Sequence, residues 1–489
     1  MPSSEHKALV AVDLGAQSCR VSLLRFYQGD PHFDVVHRFR NGPLVTSAGV
    51  RWDIAAIIEG VQAGLRLCAG IATEGIQAIG VDGWAVDYVR LDEDGNAIAN
   101  PFCYRDKRTI AAERAVHEIL PPARLHALTG IQLLSINTLY QLYADKLAGV
   151  PAGKRWINIP EFVTHRLGGR PVAEYTNATH TQLVDLKTKQ WCDEIFESTG
   201  LDRNAAPQIV PTGTVVGSVR GDLSELTAFR QTQLIVPACH DTASAIAAIP
   251  ASGYDWAFIS SGTWSLVGTV LGSPCVNEDA RTMNFTNLGG VGGTICFLKN
   301  VNGMWLLRQC MDQWESRGFM RAVADLIEQC GSMPKPAVLL DVDDPELLMP
   351  GNMLGKIDAQ MKRAGTGAAS SWESAEPPAV ANLILHSLAA RYAEVLASIA
   401  RITGKKLRRL FIVGGGSRNR VLNRLTAERA GLEVIAGATE STTIGNFAIQ
   451  MAALAGDGSD AGGVPASSVA KWAERISAGS LAIAAGMDG

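Results

Sequence analysis

Four short stretches of this sequence hold residue types that could handle phosphate and a hydroxyl group. The first is Asp13-Leu14-Gly15-Ala16-Gln17-Ser18. An acid ends an apolar run, and the glycine after it lets the backbone turn tightly. Amides in such a turn can form an anion nest. Asp13, at the strand end, could hold Mg²⁺ through water beside the phosphates. The second stretch is Ser261-Gly262-Thr263, another turn of glycine and small hydroxyl residues. The third is Val413-Gly414-Gly415-Gly416-Ser417, where three glycines let the backbone approach a flat ligand such as adenine. The fourth is Ala238-Cys239-His240-Asp241-Thr242-Ala243-Ser244-Ala245, which sets an acid and an imidazole where a small-residue helix opens. Each also has a plainer reading. The first two fit ordinary hairpin turns, and the third fits a helix-start loop. Asp241 fits a helix cap or dipole partner, and His240 a buried hydrogen-bonding residue.

Rival chemistries fail on spacing. In a dinucleotide fingerprint read from Gly414, the third glycine would fall at Asn419. No G-x-x-x-x-G-K-[ST] and no H-E-x-x-H occurs. The nine cysteines are scattered, odd in number and without a C-x-x-C pair. A zinc site or disulfide framework is therefore not expected, and a reducing cytoplasm fits.

The elements that must carry these motifs follow from periodicity. Residues 8–26 read as strand, tight loop, strand, and residues 255–270 repeat that plan around Ser260-Ser261-Gly262-Thr263. Two such hairpins about half a chain apart imply a duplicated architecture with one domain per copy. Further strands are expected at 78–81, 87–91, 234–237 and 409–413, and helices at 54–72, 108–120, 381–403 and 419–430. The third of these helices has apolar positions at 384, 385, 388, 392, 395, 396 and 399, and Gly404 suits its end. Strands alternating with helices indicate an α/β class. A linker is expected near 249–253, an exposed loop at 365–378, and a weakly specified tail after 455 with a short helix near 469–476.

Bulk numbers narrow the function classes. Lys+Arg 44 against Asp+Glu 48 gives a net charge of -4, which argues against a nucleic-acid partner. The start lacks the basic and apolar regions of a signal peptide. Charges interrupt the apolar stretches, so no membrane span is expected.

Taken together, the motifs resemble the FGGY carbohydrate kinases, within the actin/hexokinase/Hsp70 fold superfamily. The resemblance is carried by Ser260-Ser261-Gly262-Thr263-Trp264-Ser265-Leu266, by His240-Asp241-Thr242-Ala243-Ser244-Ala245, and by Lys299-Asn300, Gly303 and Trp305-Leu306-Leu307. Tyr104-Arg105-Asp106, residues 137–142 and Tyr175-Thr176-Asn177-Ala178-Thr179 extend it over nearly the whole chain. Within the family the pattern is most similar to the rhamnulose kinases. The resemblance implies a two-domain, ribonuclease H-like α/β fold, with duplicated mixed sheets flanked by helices and a cleft between domains. Residues 1–248 would form the sugar and phosphate side and 249–489 the nucleotide side. It also implies transfer of the ATP γ-phosphoryl group to the 1-hydroxyl of L-rhamnulose with Mg²⁺. Asp241 matches the family's catalytic base. His240, Thr242, Asn300 and Ala85 match sugar contacts. Ala16, Gln17, Ser18, Cys19, Arg20 and Thr263 match the phosphate loops, and Arg308 and Gly415 match nucleotide contacts. The alternatives are a kinase for another ketose or polyol, such as L-fuculose or L-xylulose, and a nucleotide-binding switch of the same superfamily. The sequence departs from the family pattern in five places. Gln17 and Cys19 replace small residues in the first loop. Ala85 replaces a glycine and would narrow the sugar pocket. Glu161 replaces an aspartate, and Arg308 a neutral amide. Cys19 near the phosphates is expected to make the protein sensitive to thiol reagents.

Overall fold

The computed structural model describes residues 7–151, 153–319, 322–349, 351–365, 371–458 and 463–486. The chain forms two compact units. One holds Met1–Pro250, Val270–Phe297 and Ser441–Gly489; the other holds Ala251–Thr269 and Leu298–Glu440. The first passage between units falls within the expected linker, and two later segments return to the first unit. Two six-stranded mixed sheets organise the α/β fold.

The sheet of the first unit contains β1 (Ala8–Leu14), β2 (Ser18–Tyr27), β3 (Asp30–Arg40), β4 (Ile76–Gly83), β5 (Val215–Ser218) and β6 (Gln233–Ile235), in the order β5-β6-β4-β1-β2-β3. β1 is apolar on both faces until Asp13 and is buried throughout, as a central strand must be. It pairs with β2 antiparallel and with β4 parallel, so Asp13 lies opposite Asp82 and Leu14 opposite Gly83. β6 adds to β4 in parallel. Helix Ile54–Ile71 begins where the Asp53 side chain accepts the Ala56 amide, and it buries Ile54, Ile57, Val61, Leu65 and Cys68 at helical spacing.

In the second unit, β7 (Trp256–Ser261) and β8 (Trp264–Leu271) form the second hairpin, with Ser261 opposite Ser265. β9 (Arg409–Val413) runs parallel to β7, and β10 (Glu433–Ala436) parallel to β9. Helix Pro377–Thr403 stops at Gly404, whose φ of 70° provides the left-handed cap expected from the sequence. The helix starts at Pro377, inside the stretch read as a loop, because proline is suited to the first helical position. Residues 366–370 of that loop lie outside the described residues.

Helices Ile54–Ile71 and Pro377–Thr403 are, by length and composition, apolar enough to cross a membrane. Each nevertheless buries a regular set of side chains within the fold. The tail helix is longer than expected, spanning Ala466–Gly486. Helix Ser441–Leu454 was not expected at all. It is buried on nearly every side, so it lacks the two-faced pattern that marks a surface helix.

Candidate functional site

The parallel strands of the first unit end together. The Gly83 amide donates to the Cys239 carbonyl at 3.0 Å, and the Trp84 amide to the Leu14 carbonyl at 3.2 Å. Gly83 and His240 form an isolated parallel bridge. Asp13, Asp82 and Asp241 are thereby brought to the carboxyl ends of neighbouring parallel segments, where α/β sheets place ligands. Arg20, opposite Asp13 in the hairpin, pairs with it at 2.5 Å. The Arg20 charge also acts on the Asp82 and Asp241 carboxyls, lowering both. Asp82 accepts the Asn446 side-chain amide at 2.6 Å through Oδ2, while its buried Oδ1 has no hydrogen-bond partner. Burial, then the Asp13 charge, hold the Asp82 carboxyl well above the usual range.

Asp241 opens the short helix Asp241–Ala247, and its side chain is 33 % exposed. Its Oδ1 accepts the Thr242 amide at 2.5 Å and the Thr242 hydroxyl at 3.1 Å. His240 Nε2 lies 3.4 Å from the same oxygen. Burial pushes the Asp241 carboxyl up to about 6, against the pull of Thr242 and Arg20. Burial lowers His240 to about 3, so this imidazole is neutral. His180, at the end of helix Tyr175–His180, meets it with Nε2 3.0 Å from His240 Nδ1.

Buried acids beneath this point hold the backbone that leads to it. Glu174 Oε2 accepts the Cys239 amide at 3.0 Å and the Thr176 amide at 3.0 Å, and Glu174 Oε1 accepts the Thr212 hydroxyl at 2.6 Å. Glu161 accepts the Glu174 amide at 3.2 Å and the Asn177 side-chain amide at 2.9 Å. Burial drives the Glu161 carboxyl up to about 8. Glu161 is thus a support of the 174–177 backbone. Ala85 is buried in the turn after β4. The next residue, Val86, has φ of 71°, a conformation that a β-branched residue adopts only at a cost of about 1–3 kcal/mol. The turn is held by bonds from the Thr138 hydroxyl at 2.7 Å and the Gln141 amide at 3.3 Å to the Val86 carbonyl. Asp87 fixes its other end, accepting from Trp52 at 2.6 Å, Trp84 at 3.1 Å and Gln141 at 2.9 Å.

The first phosphate-loop candidate is the β1–β2 turn. Asn41 ties it down by its carbonyls, donating its side-chain amide to Gly15 at 2.9 Å and its backbone amide to Gln17 at 3.0 Å. Carbonyls held on one side leave turn amides for an anion. Gly15 is required, since a Cβ there would lie 2.5 Å from the Ser18 carbonyl oxygen. Ala16, Gln17 and Ser18 are at least partly exposed. Cys19 corrects an expectation. Its side chain is fully buried in the hydrophobic core, and burial pushes its thiol up to about 12. Its φ is not positive, so replacing glycine there costs no backbone strain. Alternation along β2 puts Arg20 on the site side and Cys19 in the core, so only the Cys19 backbone is available to a ligand. The buried, high-pKa thiol is shielded from reagents.

The second unit repeats the design. Ser260 of β7 pairs with Val413 of β9, so turns 261–263 and 414–416 follow adjacent parallel strands. A Cβ at Gly416 would lie 2.0 Å from the Ser261 hydroxyl, and one at Gly303 would lie 2.7 Å from the Thr263 carbonyl oxygen. The Trp305 amide donates to the Thr263 carbonyl at 3.2 Å. Close backbone packing thus joins Thr263, Gly303 and the glycine run. Gly415 itself is exposed and has open space beside it. Asn300 is partly buried on strand Ile295–Asn302. Arg308 is 52 % exposed and pairs with Asp312 at 2.6 Å and Glu315 at 3.6 Å on its own helix. It would have to release those acids to meet a nucleotide.

Against this geometry the comparisons with known proteins are specific. The N-terminal domain model of the FGGY family of carbohydrate kinases matches residues 8–248, and the C-terminal domain model matches residues 257–454. The chain belongs to the FGGY family of carbohydrate kinases. Among relatives of this FGGY kinase, the Enterococcus faecalis protein named rhamnulokinase is 36 % identical over 92 % of this chain and 90 % of its own length. The rhamnulokinase of Bacteroides thetaiotaomicron is 34 % identical over 93 % of this chain and 92 % of its own. Solved structures share the fold. A ligand-bound xylulose kinase from Lactobacillus acidophilus superimposes with a TM-score of 0.74 at 14 % identity, covering 99 % of both chains. Plasmodium falciparum glycerol kinase with ADP gives 0.72 at 12 % identity, covering 96 % of this chain and 93 % of its own. The expected actin-like α/β kinase fold and sugar-kinase activity are borne out.

Proposed function

We propose that this FGGY kinase transfers the γ-phosphoryl group of ATP to the 1-hydroxyl of L-rhamnulose, giving L-rhamnulose 1-phosphate and ADP. The observation that carries the reading is the Asp241 carboxylate. It is partly exposed at the strand ends, pinned through Oδ1 and raised to about 6. The near full-length relatives named rhamnulokinase support the choice of sugar.

Asp241 aims the sugar hydroxyl at the γ-phosphorus. Phosphoryl transfer passes through a loose transition state with little early proton loss. Asp241 takes the hydroxyl proton as the new O–P bond forms and the bond to the β-phosphate oxygen breaks. A carboxyl near 6 is a stronger base than an ordinary aspartate, yet is still ionised at neutral pH. His240, Thr242, Ala85 and Asn300 line the sugar. Ala16, Gln17, Ser18, Arg20, the Cys19 backbone, Thr263, Arg308 and Gly415 take the nucleotide. Residues 1–248 carry the sugar and phosphate side, and 249–489 the nucleotide side.

The donor set suits Mg²⁺ brought with the triphosphate. Asp13 already shares one oxygen with Arg20, Asp82 keeps an unpartnered Oδ1, and no three His, Cys, Asp or Glu side chains form a cage among the described residues. Such a site holds a cation that keeps several waters, and Asp13 would act through one of them. Bound there, Mg²⁺ neutralises triphosphate charge. All nine cysteines are unpaired, which suits a reducing cytoplasm.

A coupled ADP-release assay over L-rhamnulose, L-fuculose, L-xylulose and glycerol tests the substrate. The highest kcat/KM is expected for L-rhamnulose. A clear preference for another acceptor, or ATP turnover indifferent to sugar, overturns this assignment.

A further inference from the structure

We infer that His180 is a positioning residue for phosphoryl transfer: through Nε2 it fixes His240 in the tautomer whose Nε2–H faces the Asp241 carboxylate. The inference rests on the reading of Asp241 as the base.

Three groups stand in a row. His180 Nε2 lies 3.0 Å from His240 Nδ1, with ring centroids 3.9 Å apart. His240 Nε2 lies 3.4 Å from Asp241 Oδ1. His240 is buried and His180 is partly so, and burial disfavours the charged form of each ring. Each neutral imidazole carries one N–H. A nitrogen–nitrogen contact of 3.0 Å needs one proton between the rings, which leaves two arrangements. If His240 donated from Nδ1, its Nε2 lone pair would face the Asp241 oxygen, and two acceptors would oppose each other. If His180 donates from Nε2, His240 Nδ1 accepts and the His240 proton sits on Nε2, toward the carboxylate. The carboxylate therefore selects the second arrangement, and His180 is the donor that sustains it.

The consequence lies in how Asp241 is used. The Thr242 amide and hydroxyl both donate to Oδ1, and His240 Nε2 lies 3.4 Å from the same oxygen. Oδ2 is left to accept the substrate proton. The His240 amide also lies 3.5 Å from the Thr176 hydroxyl, so the ring hangs from a backbone already held by the 174–180 segment. Without a donor at residue 180, His240 can adopt the other tautomer, and a ring lone pair in place of an N–H then lies 3.4 Å from the carboxylate. His180 and His240 are 60 residues apart, so the sequence alone does not pair them.

The test uses histidine labelled with ¹⁵N in the full-length protein, with two-bond ¹H–¹⁵N spectra to read tautomers and His240→Gln to assign the signals. The wild type is expected to show His240 protonated on Nε2. His180→Phe is expected to mix the two His240 tautomers and to lower kcat about tenfold, the size of one lost hydrogen bond, with KM for ATP unchanged. His180→Gln, whose amide can still donate, is expected to recover most of that loss. His240 protonated on Nδ1 in the wild type overturns the proposal. So does wild-type turnover in a folded His180→Phe protein, or a His180→Gln variant as slow as His180→Phe. If His180→Phe does not fold, the wild-type spectrum and His180→Gln still decide the matter. Failure of the Asp241 reading is distinguishable: it would appear as turnover in Asp241→Asn, whatever tautomer His240 shows.

Discussion

Gly445→Ala is expected to damage catalysis from behind Asp241, the base proposed above. Gly445 lies in helix Ser441–Leu454, which packs on helix Asp241–Ala247. A Cβ added there would lie 1.8 Å from the Ser244 carbonyl oxygen and 2.6 Å from its carbonyl carbon. Both atoms are backbone, so no rotamer change relieves the overlap. Ordinary contact begins near 3.4 Å, and the helices must therefore separate by about 1.6 Å. Ser244 is one helical turn from Asp241, and its amide bonds the His240 carbonyl at 3.1 Å, so the displacement reaches the Asp241 carboxylate. Overpacking of this kind costs about 1–3 kcal/mol of stability. A reacting group misplaced by about 1 Å loses on the order of 10²-fold in rate. The variant is expected to fold with a lowered Tm and a kcat reduced about 100-fold in the ADP-release assay. Gly70→Ala is the control. Gly70 is exposed in helix Ile54–Ile71 with nothing within 4 Å, so it should gain about 0.4–1 kcal/mol and keep its turnover. A Gly445→Ala protein with wild-type Tm and kcat would refute the reasoning.

Three further outcomes are expected. Glu161 is raised from 4.5 to about 8, so between those values the folded state binds more protons than the unfolded chain. Its contribution is therefore full below pH 4.5 and is lost as pH rises toward 8. Glu161→Gln should remove that decline, gaining a few kcal/mol relative to wild type between pH 5 and 8 in urea melts; parallel pH profiles would contradict it. Asn177 Oδ1, now without a partner, can turn to accept from the new amide. Turnover should fall as pH drops through about 6, where Asp241 protonates, and a rate flat down to pH 5 would oppose the assigned base. Cys19 should resist thiol reagents in the folded protein and react only on unfolding, as read by peptide mass after brief labelling.

Much of this was legible in the order of residues. The two hairpins stand out because apolar runs end in Asp13 and Ser261 and resume after small turn residues. Gly404 marks a helix end because only glycine adopts its φ cheaply. The orientation of Cys19 could have been read from strand alternation beside Arg20. Other parts depend on contacts between remote segments. Helix Ser441–Leu454 supplies Asn446 to Asp82 and donates from Gln450 to the Val10 carbonyl at 2.9 Å. Its apolar residues lie all around, so no period exposes it. The Glu161–Glu174 support and the His180–His240 pair likewise join residues that only the fold brings together.

Single-turnover phosphoryl transfer by Asp241→Asn, with nucleotide binding measured on the same sample, bears most directly on the role of this carboxylate. The asparagine keeps the shape and cannot accept the proton, so transfer should slow by about 10²–10⁴-fold while ATP binds as in the wild type. A folded variant that transfers phosphate at the normal rate would show that the reaction does not run through Asp241.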